Sequence, residues 1–283
     1  MRPKIAVIIV HGLGKQKKNY ADKFKKQIRE AFARASGQSP DQLEIEAVHW
    51  ADVFAGREAE LEQNIITPYR LRYRRLRRYV LHNLADAVAY QPVDSESQNY
   101  DAVHMTISQA LHRLTASAGP TAPLCVIAHS LGAVIASNFF YDLQHSSRGH
   151  KLVIDPASPL ERGDTLSLFY SLGTTLPLWS LRYGDFDRPI RVPSDRLGDY
   201  HGSLDGEWVN FYDKDDILGY PLKGVDPAYR DAVREDVAVN VGVWWKSWNP
   251  LCHSGYFASR TIHEYIADKL TSVMRSMDPH PSD

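Results

Sequence analysis

The stretch Leu124-Cys125-Val126-Ile127-Ala128-His129-Ser130-Leu131-Gly132-Ala133-Val134-Ile135-Ala136 decides the fold. Its first five residues form a short continuous apolar run, as expected of a strand covered on both faces. Residues 131–143 follow with a helical pattern. Ser130 therefore falls between a predicted strand and a predicted helix, where a tight turn presents its hydroxyl. Such a turn brings backbone segments together, so the residues two before and two after the serine must be small. Ala128 and Gly132 meet that need, with Ala128 adding one methyl group where glycine is usual. A serine here also suits the role of a helix cap, but the strand–turn–helix setting favours a nucleophile.

A serine that attacks a carbonyl builds negative charge on the carbonyl oxygen, and backbone N–H groups aimed at that oxygen lower the barrier. The residue after the nucleophile, Leu131, supplies one such donor, and a loop after an earlier strand supplies the other. The apolar run Ile5–Val10 leads directly into His11-Gly12-Leu13-Gly14. We assign the second donor to Leu13 N–H, with His11, Gly12 and Gly14 shaping the loop, since glycine lets backbone approach a ligand closely. The same glycines also suggest a phosphate loop, which fails on detail. A dinucleotide loop needs Gly or Ala where Lys17 stands, and a P-loop needs Ser or Thr where Gln16 follows Lys15.

A serine hydroxyl needs a base, and the base needs an orienting acid. On a parallel sheet with this kind of turn they follow in the order serine, acid, histidine. The predicted strand 207–212 ends in Asp213-Lys214-Asp215-Asp216-Ile217-Leu218. Asp216 is preferred, because the apolar residues after it hold its carboxylate near the core. Asp213 and Asp215 are the alternatives. His253, in Cys252-His253-Ser254-Gly255-Tyr256, lies between the last predicted strand, 237–243, and the last helix, 259–274. His263 falls inside that helix, and His201 precedes the acid-bearing strand.

The remaining chain alternates short apolar runs with helical patterns, as in a parallel sheet with crossover helices. Further strands are predicted over 43–50 and 166–172, and helices over 19–35, 55–90 and 100–116. We expect one domain over 1–283, with 55–92 inserted as a helical cap. Lysine and arginine total 33 against 34 acidic residues. That balance gives no global case for nucleic-acid binding. Two cysteines, Cys125 and Cys252, make no disulfide framework and fit a reduced, cytoplasmic setting. The first apolar run is too short for a signal peptide's core, and no stretch of about 18 apolar residues suggests a membrane span. The predicted chemistry calls for no cofactor and no metal.

Within the cap, Thr67-Pro68 reads as a helix start. Tyr69, Tyr73, Leu76, Val80, Leu84 and Ala87 share one face, and arginines occupy the rest. The plain reading is a solvated helix face. The alternative is peripheral contact with an anionic membrane through Arg70, Arg74, Arg77 and Arg78.

Taken together, Val10-His11-Gly12-Leu13-Gly14, Ala128-His129-Ser130-Leu131-Gly132, the Asp216-Ile217-Leu218 turn and His253-Ser254-Gly255-Tyr256 resemble the α/β-hydrolase superfamily, particularly bacterial esterase- and lipase-like members. The resemblance spans nearly the whole chain. It implies a mostly parallel sheet flanked by helices, and a serine hydrolase acting on carboxylic esters through Ser130, His253 and Asp216. The first strand already carries the oxyanion loop, so the family's two leading strands are absent and about six strands are expected. Small esters, lipid esters and thioesters all suit such a site, and fold alone does not choose among them. The other class of function is a hydrolase-like scaffold that binds without turnover; a missing triad member would mark it, and none is missing.

Overall fold

Strand β1 (Ile5–Val10) has no polar side chain and is buried at every position. Its alternate residues serve two cores, because successive side chains on a strand point to opposite faces. Ile5, Val7 and Ile9 join one apolar cluster, and Ala6, Ile8 and Val10 join the other. Strand β3 (Leu124–His129) divides in the same way, with Cys125 and Ile127 on the first face and Val126 and Ala128 on the second. A strand flanked by water on one side would alternate in polarity, so these runs require helices on both faces.

The computed structural model describes residues 2–14, 16–66, 72–73, 77, 87–90, 99–145, 152–182, 186–241 and 250–277. With β2 (Leu43–Val48), β4 (Leu166–Leu172), β5 (Glu207–Tyr212) and β6 (Glu235–Ala238), the strands form one six-stranded sheet in the order β2-β1-β3-β4-β5-β6. Every neighbouring pair is parallel. On one face lie α1 (Asp22–Ser36) and the C-terminal helix, Arg260–Met277, packed on each other. On the other lie Asn99–Ala118, against β1 and β2, and Leu131–His145, which leaves the end of β3. The helical cover and the parallel sheet of six strands agree with the sequence reading.

The chain first steps from β1 to β2, then returns to lay β3 on the opposite side of β1. Open parallel sheets bind ligands where the strand order reverses in this way, outside the carboxyl ends. Here that crevice lies between His11–Gly14, after β1, and Ser130, after β3.

Several predicted boundaries shift by a few residues, among them those of the elements after β2 and β5. Among the described residues the last strand is Glu235–Ala238, starting two residues before the predicted 237–243, of which 242 and 243 lie outside the described residues. Its register is set by β5, which pairs Val209 with Glu235 and Tyr212 with Ala238. Val239 N–H still reaches Tyr212 O, but Val241 N–H turns to the Asp213 carboxylate. The alternating valines from 237 extend past the pairing itself. The helix expected from residue 55 begins earlier, as Asp52–Leu61, and widens into a π turn over Glu62–Ile66. Most of the remaining proposed cap, with Arg70, Arg74 and Arg78, lies outside the described residues; Arg77 lies within them.

Gly132 shows how tightly β1 and β3 meet at the switch point. A Cβ there would stand 2.3 Å from His11 O and 2.7 Å from Val10 O, both backbone atoms where β1 ends. Neither can move without disturbing the sheet. Gly132→Ala is expected to cost about 1–3 kcal/mol or more, read as a lower urea midpoint. An unchanged midpoint would show that this contact does not constrain the turn.

Candidate active site

Ser130 occupies the turn between β3 and the helix Leu131–His145 with φ 55, a left-handed value that a side chain disfavours. Its N–H donates to Leu172 O at the end of β4, and its carbonyl accepts from Ala133 N–H, so both sides of its backbone are tied. Gly12 faces it from the β1 loop, where a Cβ would come 2.6 Å from Ser130 Cβ and 2.9 Å from His129 Nδ1. Only a residue without a side chain lets the two loops approach this closely.

The chain brings Ser130, His253 and Asp216 together. His253 Nε2 is 2.8 Å from Ser130 Oγ, and its Nδ1 is 2.8 and 3.0 Å from the two Asp216 oxygens. The rival aspartates are engaged elsewhere. Asp213 accepts from the N–H groups of Asp215 and Val241, and Asp215 is exposed. Asp216 is buried, and two further donors hold it: Leu218 N–H on Oδ1 at 3.0 Å and the Tyr256 hydroxyl on Oδ2 at 2.8 Å. His263 faces Phe257 O and His201 faces Thr121 O.

The β1 loop is set by its surroundings. The His11 ring stacks on Trp50 at 4.7 Å, and the Trp50 indole N–H donates to His11 O. Burial lowers the His11 pKa to about 3, so the ring is neutral. Its Nδ1 faces Gly12 O at 2.8 Å and must carry the proton. A trans peptide holds its N–H opposite its C=O. Fixing the Gly12 carbonyl against His11 therefore fixes the direction of Leu13 N–H as well. Leu131 opens its helix, so its N–H belongs to the first turn, which has no intrahelical acceptor.

Two residues at the site carried no assigned role in the sequence reading. His129 Nε2 donates to the backbone carbonyl of His253 at 2.8 Å. Burial, and next the nearby His253, lowers the His129 pKa to about 3, so this donor stays neutral. Tyr256 touches Asp216 directly. Both stand inside the quoted motifs, but short motifs do not indicate which neighbour a side chain meets. Among the described residues no cluster of three or more His, Cys, Asp or Glu is arranged to hold a metal, and no helix is long and apolar enough to cross a membrane.

Burial alone would raise the Asp216 pKa. The hydrogen bond and charge of His253, with the donors Leu218 and Tyr256, outweigh it and hold the carboxyl below its ordinary range. A depressed folded-state pKa contributes stability above the unfolded value, and that contribution is lost as pH falls through the folded one. The melting-temperature gap between wild type and Asp216→Asn should be widest above about pH 4 and shrink below it. A gap that stays constant down to pH 2.5 would argue against an ionised Asp216 in the folded state.

No protein-family model matches the chain, and no curated protein matches its sequence. Solved structures resemble it over most of its length at low identity. An esterase domain from Rhodothermus marinus is 12% identical, covering 98% of this chain and 88% of that one, with TM-score 0.36. A dienelactone hydrolase from Anabaena variabilis is 10% identical, covering 96% and 85%, with TM-score 0.38. Carboxyl esterase 2 from Tuber melanosporum is 8% identical, covering 97% and 80%, with TM-score 0.42. The chain's own parallel sheet, with a serine on the strand-to-helix turn at its carboxyl edge, has the α/β-hydrolase fold.

Proposed function

We propose that the chain is a serine hydrolase that cleaves carboxylic esters. The observation that carries this reading is the continuous path from Ser130 Oγ through His253 to Asp216, with both links at 2.8 Å. A serine in a strained turn, hydrogen-bonded to an imidazole whose other nitrogen meets a buried carboxylate, suits acyl transfer.

In this mechanism His253 Nε2 takes the Ser130 proton as Oγ attacks the ester carbonyl. Asp216 holds the ring and stabilises the imidazolium that forms. Leu13 N–H and Leu131 N–H receive the charge on the carbonyl oxygen, each such donor being worth about 3–4 kcal/mol. The imidazolium then protonates the departing alcohol as the tetrahedral intermediate collapses to an acyl-enzyme. Water, deprotonated by the same His253, releases the acid. Thioesters and phospholipid acyl esters suit the same steps. The steps need no cofactor and no metal. The two cysteines are free and buried, which suits a cytoplasmic setting.

A fluorophosphonate probe tests the reading without knowledge of the natural substrate. Wild type should form an adduct at Ser130, located by peptide mass spectrometry, and Ser130→Ala should form none. Turnover of a short-chain ester should fall on the order of a millionfold in Ser130→Ala. A folded wild type that remains unlabelled would favour a scaffold that binds without turnover.

We further infer that the basic segment of the cap attaches the protein peripherally to anionic membranes, through Arg70, Arg74, Arg77 and Arg78. Each basic residue contributes about 1 kcal/mol near such a surface. Sedimentation with vesicles should rise with phosphatidylserine content and fall when the four arginines become glutamine. Binding indifferent to anionic lipid would remove the membrane from the reading.

A further inference from the structure

Tyr256 is fully buried on the short turn Tyr256–Ala258, three residues after His253. Its hydroxyl donates to Asp216 Oδ2 at 2.8 Å and accepts from Asp213 N–H at 2.9 Å. We propose that Tyr256 is a positioning residue, whose hydroxyl joins the end of β5 to the Asp216 carboxylate and pins that carboxylate against His253; this rests on the triad reading above.

The geometry makes the hydroxyl a constraint as well as a contact. Both Asp216 oxygens lie within reach of His253 Nδ1, so His253 alone leaves the carboxylate free to pivot. Leu218 N–H holds Oδ1 and Tyr256 holds Oδ2, which fixes the carboxylate plane from both sides. Two glycines close around the pair. A Cβ at Gly219 would stand 2.5 Å from Asp216 Oδ2 and 2.9 Å from the Tyr256 hydroxyl, and one at Gly173 would stand 2.5 Å from Tyr256 Cε2. Burial, and then the Asp216 charge, pushes the phenol well above its ordinary range, so the hydroxyl keeps its proton and remains a donor.

The other groups around His253 leave Asp216 as the charge that Tyr256 tunes. His129 on β3 and His11 beyond it are neutral, and burial raises the Cys252 thiol to about 11. Asp213 is committed to two backbone N–H groups, and Asp215 is exposed. A donor on Oδ2 draws charge from the carboxylate edge that faces the imidazole. Without that donor the carboxylate attracts the ring proton more strongly, and the free base persists only at higher pH.

The test is the rate of fluorophosphonate labelling of the full chain as a function of pH. Tyr256→Phe is expected to slow labelling about tenfold and to move the acid limb up by about half a pH unit. Site-specific 3-fluorotyrosine at position 256, a more acidic donor in the same ring, should move the limb down. Opposite shifts are not expected of a residue that merely fills space. A folded Tyr256→Phe protein whose acid limb coincides with wild type overturns the proposal, even if its rate falls. Should Tyr256→Phe fail to fold, the fluorotyrosine protein decides alone, and an unmoved limb overturns the proposal. Wild type unlabelled at Ser130 overturns the triad reading instead, so the two failures are distinguishable.

Discussion

Ser130 is held at φ 55, a conformation that costs a residue with a side chain about 1–3 kcal/mol and persists only where its surroundings over-determine it. Those surroundings are visible. Strand β3 is buried from Leu124 to Ala128 as it approaches the turn, and a helix with a buried apolar face leaves it. The serine N–H is taken by the end of β4, and the end of β1 presses against Gly132 from the other side. Three strands therefore hold one residue. The strain places the hydroxyl at the carboxyl edge of the sheet, where His253 reaches it, and keeps it out of the helix that follows.

The second constraint is electrostatic. An ionised carboxylate buried without partners is expensive, and Asp216 is buried. It has an imidazole, a backbone N–H and a phenol hydroxyl around it. Asp213, three residues earlier and also buried, finds its donors in backbone N–H groups alone. Asp215 finds solvent. Three chemically identical side chains at the end of one strand are thus sorted by the donors within their reach. The sorting sets Asp213 to hold the turn in shape and leaves Asp216 facing the histidine.

This contrast also shows what the sequence could disclose. The buried strands are legible because a strand covered on both faces has no use for polar residues, and Ile5–Val10 and Leu124–Ala128 carry that mark plainly. Ser130 was legible because its turn excludes large neighbours. The small residues at 12 and 132 avoid clashes that a Cβ would meet at 2.6 and 2.3 Å. The preference for Asp216 over its neighbours rests on Ile217 and Leu218 as apolar anchors, yet Ile217 is 63% exposed. The carboxylate is held instead by hydrogen bonds from Tyr256, Leu218 and His253. Tyr256 and His129 escaped assignment because their partners lie 40 and 124 residues away in the chain. The start of strand 235–238 is not legible in its own pattern, because it depends on the register of β5.

Ser130 and His253 lie 123 residues apart in the chain, and His253 and Asp216 lie 37 apart, yet each pair meets at 2.8 Å. The parallel sheet makes this ordinary. Each crossover carries the chain back before the next strand begins, so every strand delivers its following loop to the same edge and successive loops add groups to one place. Strand β1 contributes the glycine loop, β3 the serine, β5 the aspartate, and the segment after β6 the histidine. The order of these groups along the chain follows the order of the loops, while their mutual distances follow from strand spacing. Local patterns therefore locate each group at the correct edge. The last few ångströms, which decide whether an aspartate faces a histidine or a backbone N–H, are set by side chains such as Tyr256, which arrive from another part of the chain.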